Sequence, residues 1–312
     1  MKIQKIIYFG TAPIAVPALE ALHADPGSEV VAVCTQPDRP SGRKRKLTPS
    51  AVKMCAEELG IPVWDPEKIS TARDGLEELT PDLAVVFAYG QYIPKSVFDL
   101  PVRGSINFHP SLLPQYRGAS PIQSSLLDGR TTSGLTVLEV SDQMDAGNLL
   151  LQRSIKISPE DTSETLHIQF GNLAGELIPE ILEGLRAETL SSMPQEEGKA
   201  TECGKISKED GRIHWQEPAT KILNRIRAFQ PWPGTYFPLG KQGNLKILEA
   251  KVEFGKGTPG ELLDVEGEGP LVACGQDALR LLRVQPPGKK PMDGKSFLHG
   301  HPLQPGSVLE DA

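Results

Sequence analysis

Four apolar runs with helical patterns between them constrain the fold of this chain more than any other feature. The runs cover residues 2–9, 29–35, 61–64 and 82–88, and they are largely apolar on both strand faces. Strands of this composition belong to parallel sheets whose two faces are covered by helices. Because segments with helical periodicity separate the runs, the first part of the chain is predicted to form an α/β, doubly wound, mostly parallel sheet.

A fifth predicted strand opens the stretch 105–119, which carries SINFHPSLLPQYRGA. Side chains alternate between the faces of a strand, so Asn107 and His109 are predicted to lie on one face. Pro110 cannot donate to a strand ladder, and the strand should end there. Ligands of such sheets bind outside the carboxyl ends of the strands, where Tyr89, Gly90 and the Asn107/His109 pair all fall.

A carboxylate completes this pair. Residues 135–140 and 149–157 are predicted strands, and the polar loop between them carries Asp145. The loop is too short for a crossover helix, so these two strands should be antiparallel. An isolated Asn-x-His pair at a strand end is more often structural. A strand end flanked by turn residues, together with a distant aspartate, favours a site with an amide donor, an acid or base and an orienting carboxylate.

Such a trio suits acyl transfer to an amine. Asn107 and a protonated His109 can hold a developing oxyanion, while Asp145 stabilises the charged imidazole or accepts the proton of the attacking amine. Ser111 lies nearby, but no nucleophile-elbow pattern surrounds it, which disfavours a Ser-His-Asp hydrolase. The loop after the first strand lacks a G-x-G-x-x-G pattern, so the sequence gives little support for a dinucleotide cofactor.

Basic residues are concentrated on one predicted loop. Five of the eight residues from 39 to 46 are basic, namely Arg39, Arg43, Lys44, Arg45 and Lys46. The net charge of −7 argues against a basic coat over the whole chain. A run of this kind is usually a solvated surface loop. It can also form a local positive site for a nucleic-acid backbone, and the sequence leaves both interpretations open.

The composition changes in the second half of the chain. Residues 191–205 are rich in Pro, Gln, Glu, Gly, Lys and Thr and are predicted to form a linker between domains covering 1–190 and 206–312. Short alternating strands after the linker predict a small β-barrel or sandwich, covered by a helix at about 218–228. The aromatic and Pro-rich run 225–234 is a core anchor or a domain-interface plug, with substrate contact as the alternative.

Other residue patterns narrow the class of protein. The four cysteines lie far apart and do not cluster with the six histidines, which predicts reduced structural thiols and no metal site. No apolar run approaches the ~20 residues that a membrane-spanning helix needs. A cytoplasmic protein that does not contact a membrane is therefore expected.

Two motifs carry a family resemblance. The run NFHPSLLPQYRG at 107–118, followed by MDAG at 144–147, resembles the signature of 10-formyltetrahydrofolate-dependent formyltransferases. The runs at 35–43, 208–215 and 227–234 are similar to the branch of that family that acts on methionyl-tRNA. The similarity extends over nearly the whole chain. Two departures concern Asn148, where members often carry an acid, and Pro110, which replaces a glycine of some members.

The resemblance implies a Rossmann-like catalytic domain joined to an OB-like β-barrel that binds tRNA. It implies transfer of formyl from 10-formyltetrahydrofolate to the α-amine of initiator methionyl-tRNA, with no metal; we expect a monomer. It places catalysis at Asn107, His109 and Asp145. The expected folate-binding residues are Ser111, Leu112, Leu113, Pro114, Tyr89 and Gly90, and the expected tRNA-binding residues are Arg39, Arg43, Lys44, Arg45 and Lys46.

Rival functions share part of this pattern. Glycinamide ribonucleotide formyltransferase and the hydrolase domain of formyltetrahydrofolate dehydrogenase have the same Asn/His/Asp set. The former typically lacks a C-terminal barrel, and neither explains the basic run. A sugar-nucleotide formyltransferase is a further alternative. A noncatalytic tRNA-binding module belongs to a different class, and the complete trio argues against it.

Overall fold

The computed structural model describes residues 3–41, 46–239, 243–301 and 303–309. The chain forms two compact units. The first unit contains Met1–Pro121, Thr132–Lys156 and His167–Cys203. The second contains Ile122–Thr131, Ile157–Leu166 and Gly204–Ala312.

The strands of the first unit are β1 (Lys5–Gly10), β2 (Glu29–Cys34), β3 (Arg39–Ser41), β4 (Lys46–Thr48), β5 (Val63–Trp64), β6 (Leu83–Phe87), β7 (Ser105–His109), β8 (Arg117–Gly118), β9 (Thr132–Glu139), β10 (Leu149–Lys156) and β11 (Glu202–Cys203). Seven of them form one sheet in the order β10-β9-β7-β6-β1-β2-β5. The pairs among β5, β2, β1, β6 and β7 are parallel, whereas β9 pairs antiparallel with both β7 and β10. The predicted Rossmann-like sheet and the predicted antiparallel pair are confirmed.

This sheet brings three strand ends to one edge. Gly10 of β1 is paired with Phe87 of β6, and Phe87 is paired with Phe108 of β7. The residues that follow β1 and β6 therefore lie beside the end of β7, where the site was expected. The apolar core on one side of the sheet includes Ile7, Phe9, Ala84 and Leu76.

The described α-helices that begin before residue 190 are α1 (Val16–Ala24), α2 (Ala51–Glu58), α3 (Arg73–Glu78), α4 (Lys95–Phe98), α5 (Pro121–Leu127) and α6 (Ser163–Ala187). Ser50 caps α2 by accepting a hydrogen bond from the Lys53 amide at 3.0 Å. The α6 N-terminus is closed by reciprocal hydrogen bonds in which each backbone amide of Thr162 and Thr165 donates to the other residue's hydroxyl. This pair forms the capping box.

The second unit is built on antiparallel strands. They are β12 (Thr235–Pro238), β13 (Asn244–Glu253), β14 (Leu262–Asp264), β15 (Leu271–Ala273), β16 (Ala278–Gln285) and β17 (Met292–Asp293), accompanied by α7 (Ala219–Ala228) and α8 (Gly294–Gly300). The pairing order is β12-β13-β16-β15-β14, with β17 on β16. A C-terminal antiparallel β domain was predicted, and this is confirmed.

Alternation decides which side chains of β13 and β16 enter the core of the second unit. Leu245, Ile247, Leu279 and Leu281 are buried in one cluster with Trp215. The aromatic run at 225–234 divides in its burial: Phe229 is 2% exposed, whereas Trp232 is 53% exposed. Ile226 of this run joins the core cluster, Phe229 is buried as well, and Trp232 presents its indole to solvent.

Candidate active site

The end of β7 brings the predicted trio together. Asn107 and His109 lie on the same face of β7, and both contact Asp145, which belongs to the loop between β9 and β10. Asn107 Nδ2 donates to Asp145 Oδ1 at 3.4 Å, and His109 Nδ1 lies 3.5 Å from Asp145 Oδ2. Two residues of β7 thus share a carboxylate that lies more than thirty positions away in the sequence.

Main-chain groups hold Asp145 in place. The Gly118 amide of β8 donates to Asp145 Oδ2 at 2.9 Å, the short and well-directed contact of this carboxylate. Asp145 itself has φ +53°, in the left-handed region that side-chain-bearing residues seldom occupy. At Gly147, a Cβ would overlap the carbonyl of Glu139. Only glycine therefore allows the loop to return this closely to the end of β9.

His109 has a fixed tautomer. Its imidazole is 4% exposed, and Nε2 lies 2.8 Å from the carbonyl oxygen of Tyr116. A carbonyl only accepts hydrogen bonds, so Nε2 carries a proton and donates it to Tyr116. Nδ1 is therefore the nitrogen that faces Asp145. A proton on Nδ1 would make the ring cationic and place its charge against the carboxylate.

Asn107 keeps donor capacity. Its side chain is half-buried, and within the described chain its long contact with Asp145 is the hydrogen bond that its amide makes. An amide nitrogen has two protons, so a second donor remains for a bound oxygen. Asn107 and His109 together can thus direct two N–H groups at an oxygen placed beside Asp145.

The predicted folate segment after β7 is held in shape by the neighbouring strands. The Ser111 hydroxyl is fully buried and donates to the Gln115 carbonyl at 2.6 Å. The Leu113 amide donates to Thr136 Oγ1 at 3.2 Å, and its carbonyl accepts from Gln152 at 2.8 Å. The side chains of Leu112 and Pro114 are half-buried, so they remain partly open to solvent.

Tyr89 and Gly90 follow β6 at the same edge of the sheet. The Tyr89 ring is buried edge-on against Phe9, and burial raises the pKa of its hydroxyl. Among the described residues this hydroxyl has no hydrogen-bond partner. The main-chain carbonyl of Tyr89 accepts a hydrogen bond from Thr11 Oγ1 at 2.7 Å. Gly90 is exposed with φ +81°, and a Cβ there would meet the side-chain amide of Gln36.

Two residues of the basic run, Arg39 and Lys46, fall within the described part of the chain. Arg39 and Lys46 begin the paired strands β3 and β4, a hairpin that the sequence pattern did not predict. Arg39 lies 3.6 Å from Glu67 with both side chains exposed, and Lys46 is exposed. Arg43, Lys44 and Arg45 lie outside the described residues. The base of the hairpin is fixed by Lys53, which bonds Asp38 at 2.9 Å and Asp65 at 2.8 Å.

Two groups in the site were not anticipated from sequence, the Tyr116 carbonyl and the Gly118 amide. Both are main-chain atoms, so residue type carries no signal for them. The described part of the chain contains no cluster of three metal-ligating side chains. The four cysteines are free and buried, and none of the described helices has the length and apolar character of a membrane span.

Known proteins resemble this chain along most of its length. Residues 3–182 match the model of the formyl transferase family, and residues 205–302 match the model of the formyl transferase C-terminal domain. A methionyl-tRNA formyltransferase of Geobacter metallireducens is 41% identical over 97% of this chain and 98% of its own length. One of Pseudomonas fluorescens is 43% identical over 93% of this chain and 91% of its own length.

Solved structures share the fold at lower identity. WlaRD, a sugar 3N-formyl transferase, superposes with a TM-score of 0.66 at 19% identity, covering 93% of this chain and 100% of its own. A methionyl-tRNA formyltransferase from Clostridium thermocellum gives 0.58 at 18%, covering 81% and 95%. HypX from Aquifex aeolicus in complex with tetrahydrofolic acid gives 0.63 at 17% over 95% of this chain, which spans 47% of the HypX chain. With both domain models matched in order and relatives above 40% identity along nearly its whole length, this chain belongs to the formyl transferase family.

Proposed function

We propose that the protein transfers the formyl group of 10-formyltetrahydrofolate to the α-amino group of initiator methionyl-tRNA. The observation that carries the proposal is the convergence of Asn107, His109 and Asp145 at the end of β7 in a formyl transferase chain. Relatives named methionyl-tRNA formyltransferase match both parts of the chain. We infer the same acceptor for this protein.

The proposed reaction is direct acyl transfer. The uncharged amine attacks the formyl carbon, a new C–N bond forms, and negative charge develops on the formyl oxygen. Asn107 Nδ2 and protonated His109 Nδ1 donate to that oxygen more strongly than to the ground-state carbonyl. Because Nε2 is committed to Tyr116, Nδ1 is the His109 atom available for this role. The oxyanion then re-forms the carbonyl as the bond to the tetrahydrofolate nitrogen breaks, and that nitrogen takes up the proton that Asp145 accepted from the amine.

Asp145 has two tasks in this scheme. Its carboxylate stabilises the charged form of His109 and accepts the proton that the amine loses as the new bond forms. An α-amine titrates near pH ~7.7–8.0, so a sizeable fraction is uncharged before it binds. The Gly118 amide keeps Oδ2 oriented during the proton transfer. Neither a nucleophilic side chain nor a metal ion enters the proposed scheme.

Donor and acceptor sites are assigned to separate surfaces. The folate is proposed to bind along Ser111, Leu112, Leu113, Pro114, Tyr89 and Gly90. Since the Ser111 hydroxyl and the Tyr89 ring are buried, their contribution is to shape the site, while Gly90, Leu112 and Pro114 are open to contact. The amide, imidazole and carboxylate set fits a formamide group, which offers one carbonyl oxygen and one leaving nitrogen.

The tRNA is proposed to contact Arg39, Arg43, Lys44, Arg45 and Lys46, together with the domain at 206–312. We assign residues 1–190 to catalysis and 191–205 to a linker. The protein is proposed to act in the cytoplasm, because its proposed substrate is the aminoacyl-tRNA that starts protein synthesis. It is also proposed to be a monomer. Sedimentation of the purified chain tests the monomer.

One assay tests the proposed function. The protein is incubated with 10-formyltetrahydrofolate and one of four acceptors: initiator methionyl-tRNA, glycinamide ribonucleotide, an amino-sugar nucleotide or water alone. Release of tetrahydrofolate is followed in each. We expect turnover that depends on the tRNA and formyl-methionine on the recovered tRNA. Turnover with any other acceptor in place of the tRNA contradicts the proposal and identifies the rival function.

A further inference from the structure

A polar segment, residues 192–203, is bonded to both loops of the proposed site. It contacts the loop of Asp145 through Ser192 and Met193, and the loop of Tyr116 and Gly118 through Thr201 and Cys203. The bonds join Asn148 Nδ2 to Ser192 Oγ (2.9 Å), Leu149 N to Met193 O (2.7 Å), Tyr116 N to Thr201 Oγ1 (2.8 Å) and Ala119 N to Cys203 O (3.0 Å). The segment thus spans the two main-chain supports of the trio.

Gln195 makes the closest approach of this segment to the catalytic carboxylate's backbone. Its Nε2 donates to the Asp145 carbonyl at 2.7 Å and to the Gly147 carbonyl at 2.8 Å. Both protons of one amide are therefore used on the two carbonyls that flank the turn. The side chain is part-buried, which strengthens these bonds relative to bonds in water.

Arg117 fixes the orientation of that amide. Its Nε and Nη2 donate to Gln195 Oε1 at 3.1 and 2.8 Å, and its guanidinium is itself held by Glu197 at 2.7 and 3.0 Å. Arginine can only donate, so the oxygen of Gln195 must face it and the nitrogen must face the turn. The contacts with Arg117 and with the two carbonyls therefore agree on one orientation.

The turn needs this support because of its backbone. Asp145 has φ +53°, a conformation that a residue with a side chain keeps only when its surroundings impose it. The two bonds from Gln195 tie the carbonyls on either side of Asp145–Gly147 to a fixed point. If they were lost, the turn would relax and the carboxylate would move away from His109 and Asn107.

We infer that Gln195 is a positioning residue of the reaction, acting through Asp145. The inference rests on the proposed function for its kinetic consequences. Among the described residues, Gln195 makes no hydrogen bond to His109 or Asn107, and its amide protons are donated to main-chain carbonyls. Its contribution is the placement of the Asp145 carboxylate within ~0.5 Å of the productive geometry, the tolerance that such sites require.

The test uses two replacements of the amide and a neighbouring control. Q195M has a similar length and removes both donors, while Q195E keeps an acceptor for Arg117 and loses the donors. Both should lower kcat for tRNA formylation, by up to about 10²-fold, because a displaced catalytic group costs rate steeply. KM for both substrates should not change, and the melting temperature should fall by only a few degrees, because each variant loses bonds of one part-buried amide. The control is E196M, whose exposed side chain pairs with Lys199 and should leave kcat unchanged.

A double variant separates positioning from a general structural role. If Gln195 acts through the Asp145 carboxylate, adding Q195M to D145N should give no further loss under single-turnover conditions. Equal losses in both backgrounds, or full kcat in Q195M, overturn the inference. Nitrogen NMR of the His109 ring supplies a readout without turnover: the Nδ1 signal should move in Q195M and stay in E196M. An inactive wild-type protein would therefore defeat the proposed function while this signal still decides the role of Gln195.

Discussion

The two units of the molecule each contain a cluster of charged and polar side chains, and the clusters are built differently. In the second unit Arg280 donates to Glu253 at 2.8 Å, to Asp264 at 2.7 Å and to the Gly269 carbonyl at 2.8 Å. In the first unit Asp145 meets Asn107 at 3.4 Å and His109 at 3.5 Å. The Arg280 cluster has short bonds between its side chains as well as to main-chain carbonyls. The Asp145 cluster has its short bonds to main-chain atoms and leaves the contacts between its side chains long.

This difference separates a structural cluster from a reactive one. Hydrogen bonds from Arg280 lower the pKa of both Glu253 and Asp264, so these carboxylates stay charged and paired at neutral pH. Asp145 and His109 are instead oriented by main-chain groups of Gly118 and Tyr116, and contacts beyond ~3.2 Å are weak enough for a substrate to replace. A site that must bind an oxyanion can spare such contacts; a structural cluster cannot.

The largest expected effect lies in the reactive cluster. Replacing Asn107 with Ala should lower kcat by ~10²- to 10³-fold, the usual loss for one oxyanion donor. The free energy of unfolding should hardly change, because the lost contact is long. Formylation kinetics and urea denaturation measure the two quantities. Exposed Asn172 on α6 supplies the control, since N172A should alter neither. A large loss of stability in N107A would mean that the comparison between the clusters is wrong.

The opposite pattern is expected for Arg280. Its side chain is 11% exposed, and Arg280→Met leaves two carboxylates and two carbonyls without their donor. Because Glu253 and Asp264 are 30% and 36% exposed, water recovers part of the loss, and we expect about 2–3 kcal/mol lower stability. Urea denaturation measures this change.

The outward-facing Arg283 lies on the same strand and provides the matched control. R283M should change stability by less than ~0.5 kcal/mol, as exposed substitutions usually do. The turnover number of folded R280M should equal that of the wild type. A drop in kcat without a drop in stability would place Arg280 in the reaction and remove the distinction between the clusters.

Gly118 tests the main-chain support of the reactive cluster. Its φ is +120°, and a Cβ would overlap the Cys203 carbonyl, so Gly118→Ala must shift the amide that donates to Asp145. We expect about 1–3 kcal/mol lower stability from the backbone conformation alone, together with a lower kcat. G198A is the control, since nothing lies within 4 Å of its added Cβ. Unchanged kcat in folded G118A would show that the amide does not hold the carboxylate.

The sheet and the trio were predictable because they depend on side-chain patterns. Apolar runs gave the order of strand and helix, and period-two alternation placed Asn107 and His109 on one face. The supports of the trio were not predictable in the same way. Almost every residue has a main-chain carbonyl and amide, so the sequence does not single out those of Tyr116 and Gly118. Only the folded loop brings these two groups to His109 and Asp145. Gln195 stood in a polar stretch whose composition indicated a linker.

Two smaller features, the cap of α6 and the β3–β4 hairpin, have local causes. Thr162 and Thr165, rather than Asp161 and Glu164, form the capping box of α6, because the helix begins at Ser163 and Asp161 Oδ1 accepts from Thr165. The β3–β4 hairpin was missed since its strands have three residues each, too few for a periodic signal. The cap is thus decided by competition between neighbouring hydrogen-bonding groups, and the hairpin was missed because of its strand length.

The smallest expected effect concerns a carboxylate whose hydrogen bonds are satisfied by side chains although it lies in the same unit as Asp145. It tests whether this bonding depends on the role of the carboxylate or on the unit that contains it. Asp25 lies in the first unit, as Asp145 does, yet its carboxylate accepts from Arg186 and from Ser28. Hydrogen bonding to Arg186 lowers the pKa of Asp25. The carboxylate is thus structural, and Asp25→Asn should leave kcat unchanged while lowering stability by about 1 kcal/mol at pH ~7.

The pH dependence has a definite sign. Because the pKa of Asp25 is lower in the folded chain than the ~3.9 of an unfolded one, its contribution is complete above pH ~4 and disappears as pH falls through the folded value. The stability difference between wild type and D25N should therefore shrink as pH is lowered towards ~3. Exposed Asp74 gives the control, since Arg73 retains Glu77 when D74N is made. A D25N difference that stays constant or grows with acid would show that ionic pairing to Arg186 is not what this carboxylate contributes.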